Sequence, residues 1–336
     1  MKIKLFVILI LLIVGITGYF RLKNINELLD LSWWEVRSID TVKYSRDLAR
    51  EKKGSSDFTK VIDKQISLIS ETGASHVAVA TPYDDEFLLF LNLWVDSARE
   101  HGLNVWFRGN LSGWEGWFDY SGISKNEHIE KTVRFIRSNR YLFQDGDIFD
   151  SCPECENGKL GDPRSDVDLQ FYREFLIDEF NVASEEFESI NKNVMIVYSM
   201  NGDVARLVMD KNTTKALGGV VTIDHYVKNS EQLIDDVEEI ALASGGKVLL
   251  GEFGAPIPDI HGEMSEEGQA KWLKSAFTEL INKDHLLGIN YWTSIGGSTS
   301  LWKDNYTEKE VVQVVKKYYK SGFNILVRQL FRYLKI

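Results

Sequence analysis

The stretch Lys247–Pro256, KVLLGEFGAP, carries Glu252 just after the apolar run Val248-Leu249-Leu250, between Gly251 and Gly254. Such a run reads as a strand buried on both faces. A carboxylate at its end is costly to hold unless chemistry needs it there. Upstream, Gly146–Asp150 reads as a short strand running into SCPECENG, with Glu154 and Glu156 just beyond it. Two carboxyl groups facing across a sugar-sized gap can break a glycosidic bond. One, with a raised pKa, protonates the leaving oxygen while the other attacks the anomeric carbon. A gap of about 5 Å retains the anomeric configuration and a wider one inverts it. In this arrangement Glu252 is the nucleophile and Glu154 the acid/base. Glu156 is the alternative for the second role; Glu154 lies nearer the strand end.

Other chemistry-bearing side chains follow the remaining strands. Asp47 comes after the first, Arg108 and Asn110 after the third, Asn201 after the fifth, and Asp224, His225 and Tyr226 after the sixth. Trp292 closes the eighth. The charge of Arg108 would keep Glu252 ionised. Trp292 offers a flat face to a sugar ring, and Trp114 and Trp117 could widen the cleft. The expected substrate-binding set is therefore Arg108, Asn110, Asn201, His225, Tyr226 and Trp292, with no metal and no cofactor. Singly, each could be a structural cap; together they point to a site.

The elements that would gather these ends alternate strand with helix. Strands are expected at 36–44, 76–81, 103–108, 146–150, 194–199, 219–226, 247–256 and 287–292. A helix is expected after each. In Asp57–Thr72, for instance, Phe58, Ile62, Ile66 and Ile69 share one face, with Asp57 as N-cap. Asp84–His101 should end at Gly102. The other helices are expected at 127–138, 166–190, 203–216, 231–244, 265–282 and 307–319. Eight such units imply a single α/β domain, a (β/α)₈ TIM barrel over residues 24–322, with catalysis past the C-terminal strand ends. An open doubly wound sheet is the alternative, but no G-x-G-x-x-G follows the first strand and no P-loop occurs.

Glu252-Phe253-Gly254, Trp292 in INYWTSIGG, and Asp224-His225-Tyr226 resemble the strand-seven, strand-eight and strand-six motifs of the retaining glycoside hydrolases of clan A, of the family 5 type. The resemblance covers about Val36 to Tyr319. It implies a (β/α)₈ barrel, an acid/base glutamate after strand four, a nucleophile glutamate after strand seven, a Trp platform, and a His or Tyr touching the nucleophile. Strand four departs from the pattern. The clan usually has Asn-Glu there, whereas Pro153 precedes Glu154 and has no amide to bind a sugar 2-hydroxyl. The expected function is hydrolysis of a β-linked oligo- or polysaccharide by retaining double displacement. The alternative is a barrel that binds carbohydrate without catalysis.

Composition fits a large core: of 336 residues, 44% are hydrophobic and 26% charged. Nine Trp and thirteen Tyr suit a sugar cleft as well as a core. A net charge of -11 argues against nucleic acid. Lys2 and Lys4 precede the apolar Leu5–Phe20, so residues 1–23 read as a signal peptide or membrane anchor. The protein is accordingly expected to be exported, either secreted or membrane-anchored, and monomeric. Residues 323–336 space Arg328, Arg332 and Lys335 through an apolar segment, to pack on the barrel or lie on a membrane. Cys152 and Cys155 lack the further ligands of a closed zinc site, which leaves a redox motif or a local disulfide.

Overall fold

Among the described residues nine strand segments, each parallel to its neighbours, make one sheet in the order β5-β4-β3-β2-β1-β9-β8-β7-β6. They are β1 Val36–Asp40, β2 His76–Val79, β3 Asn104–Phe107, β4 Ile148–Asp150, β5 Met195–Val197, β6 Ser199–Asn201, β7 Val220–Asp224, β8 Lys247–Phe253 and β9 Leu286–Tyr291. The two edge segments, β5 and β6, are separated only by Tyr198. The sheet is thus a nearly closed parallel barrel whose ends meet in one interrupted run of chain. Counting that run once leaves eight staves, matching the alternation in the sequence.

A helix follows each stave: α1 Phe58–Ser70, α2 Leu88–Glu100, α3 Lys125–Ser138, α4 Leu169–Ser189, α5 Gly202–Val208, α6 Ser230–Ser244, α7 Glu266–Leu280 and α8 Val311–Tyr319. The computed structural model describes residues 34–165 and 167–320. The leader read at 1–23 and the tail read at 323–336 lie outside them. Among the described residues no helix is long and apolar enough to cross a membrane.

Local chemistry explains where the boundaries moved. The first strand ends at Asp40 rather than Tyr44, because Oδ1 of Asp40 accepts the Val42 N–H at 2.6 Å and turns the chain into the short helix Val42–Ser45. The helix expected over 203–216 breaks after α5. Asp210 then caps a new turn, Lys211–Ala216, by accepting from the N–H groups of Asn212 and Thr213. Asp57 precedes α1 but caps nothing with its side chain, whereas Gly102 takes φ 72° just past α2 as expected.

The apolar groups divide into two layers. Outward residues such as Ile39, Val105, Phe107, Phe149, Val221, Ile223, Val248 and Leu250 pack against the helices. Inside the barrel, Val36, Ala78, Trp106, Ile148, Val197 and Leu249 form a smaller plug. Period-two alternation along each stave makes this split.

Candidate active site

Two residues beyond the inner plug, toward the C-terminal strand ends, the same faces turn polar. Arg108 follows Trp106, Asp150 follows Ile148, Ser199 follows Val197 and Gly251 follows Leu249, with Asp40, Asp224 and Asn290 at the same level; all are buried. Arg108 is the hub. Its Nη2 donates to Asp224 Oδ2 at 2.7 Å and lies 3.4 Å from Glu252 Oε1. Its Nη1 donates to the Gly251 carbonyl and lies 3.7 Å from Asp40 Oδ2. Burial opposes this charge, but Asp224, Glu252 and Asp40 outweigh it and push the Arg108 pKa up. A Cβ on Gly251 would collide with Asp224 Oδ1 and crowd Ser199 Oγ, so only glycine lets this layer close.

Glu252 reaches the interior through an irregularity. Val248 and Leu250 face outward and Leu249 and Gly251 inward, so strict alternation would turn Glu252 toward the helices. The register of β7 against β8 instead shifts between Ile223 and Asp224, pairing Ile223 with Leu250 but Asp224 with Glu252. Gly251 is the extra residue, and this bulge returns Glu252 to the inner face. Oε2 of Glu252 accepts the Tyr226 hydroxyl at 2.9 Å.

Glu154 follows β4 in the loop that Cys152 and Cys155 close by a disulfide, with Cα atoms 5.0 Å apart. It adopts a left-handed backbone (φ 50°, ψ 51°) and its N–H donates to the Ser199 carbonyl at 2.7 Å. Asn157 Nδ2 donates to its Oε2 at 3.1 Å. Burial, then the charges of Glu252 and Glu156, raise its pKa to about 7. Glu156 is tied elsewhere: its Oε1 accepts from the Asn201 N–H at 2.7 Å and from Nδ2 at 2.9 Å, and Tyr172 approaches Oε2.

Glu154 and Glu252 line one cavity of about 300 Å³, with Asp40, Arg46, Arg108, Glu115, Trp117 and Asn157 around them. Of the expected binding residues, Arg108 lines this cavity. Tyr226 touches it through Glu252, and the Trp292 ring lies 6.0 Å from that of Tyr226. The others are not brought there. Asn110 is fully buried behind it, donating to Glu115 Oε1 at 2.7 Å with its oxygen against His128 Nε2 at 2.9 Å. Asn201 holds Glu156. His225 alternates outward from Asp224 and bonds Asp236 of α6 at 2.8 Å. Trp114 does not widen the cleft; it is core, stacked on Phe175 at 5.2 Å.

Asp40, Arg46, Glu115 and Asn157 line the cavity and are not among the candidates that the sequence offers. Asp40 ends β1, and its even spacing from the inward Val36 is the sequence signal for its place on the inner face. Burial raises its pKa to about 6 against the pull of Arg108. Asp47, read as the strand-one carboxylate, is instead a surface partner of Lys43 and Arg46. Glu115 ends the four-residue helix Ser112–Glu115 and Arg46 follows Val42–Ser45, turns too short for a periodicity to read. Burial lifts the Glu115 pKa to about 8 even though Asn110 donates to it. Arg46 lies over the Trp117 ring, 5.0 Å from its centroid.

No protein-family model and no curated protein matches the sequence. Solved structures do match in fold. Bacteroides uniformis beta-glucuronidase 2, covalently bound to cyclophellitol-6-carboxylate aziridine, superposes with a TM-score of 0.61 at 12% identity, over 86% of this chain and 35% of its own. The beta-glycosidase BGL167 gives 0.59 at 12% identity, over 87% of this chain and 96% of its own. The GH2 beta-galacturonidase from Eisenbergiella tayi, bound to galacturonate, gives 0.54 at 17% identity, over 78% and 47%. This chain spans about a third to a half of the length of the two uronidases. At these identities the likeness is one of fold: a parallel TIM-like barrel.

Proposed function

We propose that the chain is a retaining β-glycoside hydrolase of the clan A type, with Glu252 as nucleophile and Glu154 as acid/base. One observation carries the reading: two carboxyls share a cavity but are treated oppositely. Glu252 is surrounded by donors, the Arg108 guanidinium and the Tyr226 hydroxyl. Glu154 is desolvated and holds its proton to about pH 7. A carboxyl met by fixed donors beside a second one that is desolvated and protonated is the pairing that a nucleophile and an acid require.

In the first step Glu252 attacks the anomeric carbon while Glu154 gives its proton to the departing oxygen, and the glycosidic C–O bond breaks. In the second, Glu154 takes a proton from water, whose oxygen displaces Glu252 and restores the free enzyme. Trp292 and Trp117 supply flat faces for sugar rings. The β-glycosidase names of the fold neighbours support the substrate class, a β-linked oligo- or polysaccharide. The apolar segment after Lys2 and Lys4 supports export, with the protein secreted or anchored by residues 1–23.

The test is turnover by the full chain on a panel of aryl β-glycosides and polysaccharides, with Glu252→Gln beside the wild type. Hydrolysis with retained configuration, lost in the folded variant, is expected. Undiminished turnover by Glu252→Gln would remove the nucleophile assignment, and glycan binding without any hydrolysis would favour a non-catalytic barrel.

A further inference from the structure

We propose that the Cys152–Cys155 disulfide is a positioning device for Glu154, holding its carboxyl in the cavity opposite Glu252. The inference rests on Glu154 being the acid/base. Both cysteines are buried, so the bridge is not a surface staple. It closes directly across Pro153 and Glu154, the two residues of the loop that line the cavity. Glu154 sits at φ 50° and ψ 51°, a left-handed conformation that side chains other than Gly, Asn and Asp rarely take.

Both ends of the bridge are anchored. On one side the Cys152 N–H donates to Asp150 Oδ1 at 3.3 Å, and Asn110 Nδ2 lies 3.9 Å from its sulfur. On the other, Cys155 begins a single 3₁₀ turn, in which the Asn157 N–H donates to the Glu154 carbonyl at 2.8 Å. Glu156 keeps its place through two bonds from Asn201 whatever the bridge does. Apart from the bridge, Glu154 is held by its N–H on the Ser199 carbonyl, by the Asn157 N–H on its own carbonyl and by Asn157 Nδ2 on its carboxyl. Opening the bridge lets Pro153-Glu154 relax toward the right-handed region and carries the carboxyl away from the leaving oxygen. A general acid works only within hydrogen-bond reach of the atom it protonates.

This role has a signature that a merely structural one lacks. In full-chain Cys152→Ser, Cys155→Ser, kcat/KM for β-glycosides with poor leaving groups should fall about 100-fold, the scale of lost general-acid catalysis. For dinitrophenyl glycosides, which leave without a proton, kcat/KM should stay within about threefold of the wild-type value, because it reads the first step alone, while kcat falls with the base role of Glu154 in the second. In a Glu154→Ala background the cysteine changes should alter azide-assisted turnover no further. Should the variant fail to fold, folded wild type reduced by dithiothreitol, itself oxidised as the bridge becomes two thiols, must give the same selective loss, reversed on reoxidation. No loss, or an equal loss of kcat/KM across all leaving groups, overturns the proposal. A wild type that cleaves no glycoside removes the hydrolase reading, and the bridge's role with it.

Discussion

Tyr226 donates its hydroxyl to Oε2 of Glu252 at 2.9 Å from just beyond β7, the stave paired with the one that carries the glutamate. Arg108 stands 3.4 Å from the other oxygen. One oxygen thus accepts a hydrogen bond and the other faces the guanidinium charge, and together they orient the carboxylate. Asp224, beside it, shares the same guanidinium and orients Arg108 in turn.

Removing that phenol should therefore act on the chemistry and spare the fold. A hydrogen bond to a charged group is worth about 1.5–3 kcal/mol. Tyr226→Phe should lower kcat/KM about 10- to 100-fold. Steady-state kinetics beside a thermal melt checks this; an unchanged kcat/KM would show that the bond does not serve the reaction.

Glu154 holds its proton to about pH 7, and an acid acts in its protonated form. For substrates with poor leaving groups, kcat/KM should fall about tenfold per pH unit above that value, as the protonated fraction does. In Glu154→Ala the limb should vanish, and azide should restore part of the turnover on activated substrates. Rescue in Glu156→Ala instead would transfer the role.

Glu115 binds its proton more tightly folded, with a pKa of about 8, than the ordinary 4.5 of a glutamate in the unfolded chain. Its contribution to stability is complete below pH 4.5 and is lost as pH rises to about 8. Glu115→Gln keeps the acceptor for Asn110 and has nothing to titrate. The melting-temperature difference, variant minus wild type, should climb between pH 4.5 and 8 and level off above. A flat difference would place Glu115 in water.

Arg108 is the buried counter-charge of Asp40, Asp224 and Glu252. Arg108→Met should cost about 3–5 kcal/mol, the penalty of leaving buried charge unpaired. The loss should be smaller at pH 5 than at pH 8, because Asp40, raised to about 6, protonates in between and removes part of the unpaired charge. Urea unfolding at the two pH values reads it; an equal loss at both would point to packing alone.

The architecture was legible because it repeats. A two-residue alternation in the staves and a helical period after each one recur eight times, so errors of a few residues at single ends do not disturb the count. The same alternation tells Asp224 and Tyr226 from the outward His225, once the strand's inner face is known. Loop residues carry no such signal. Glu115 and Arg46 enter the cavity from single helical turns inside the loops, too short to show a period, and Asn110 turns away from it toward His128.

The sequence by itself determined that a carboxylate would stand near the end of the Lys247–Phe253 strand and another after Ile148–Asp150, because the apolar run of a buried strand must give way to polar residues at the barrel's rim. It could not say which way either would point. The tertiary structure decided that, for two physical reasons. A one-residue bulge at Gly251, opposite Asp224, turns Glu252 to the inner face. A disulfide across Glu154, with its backbone in the left-handed region, separates it from Glu156, which Asn201 holds aside. Side-chain direction depends on register and on partners distant in the chain, and those exist only once the barrel has closed.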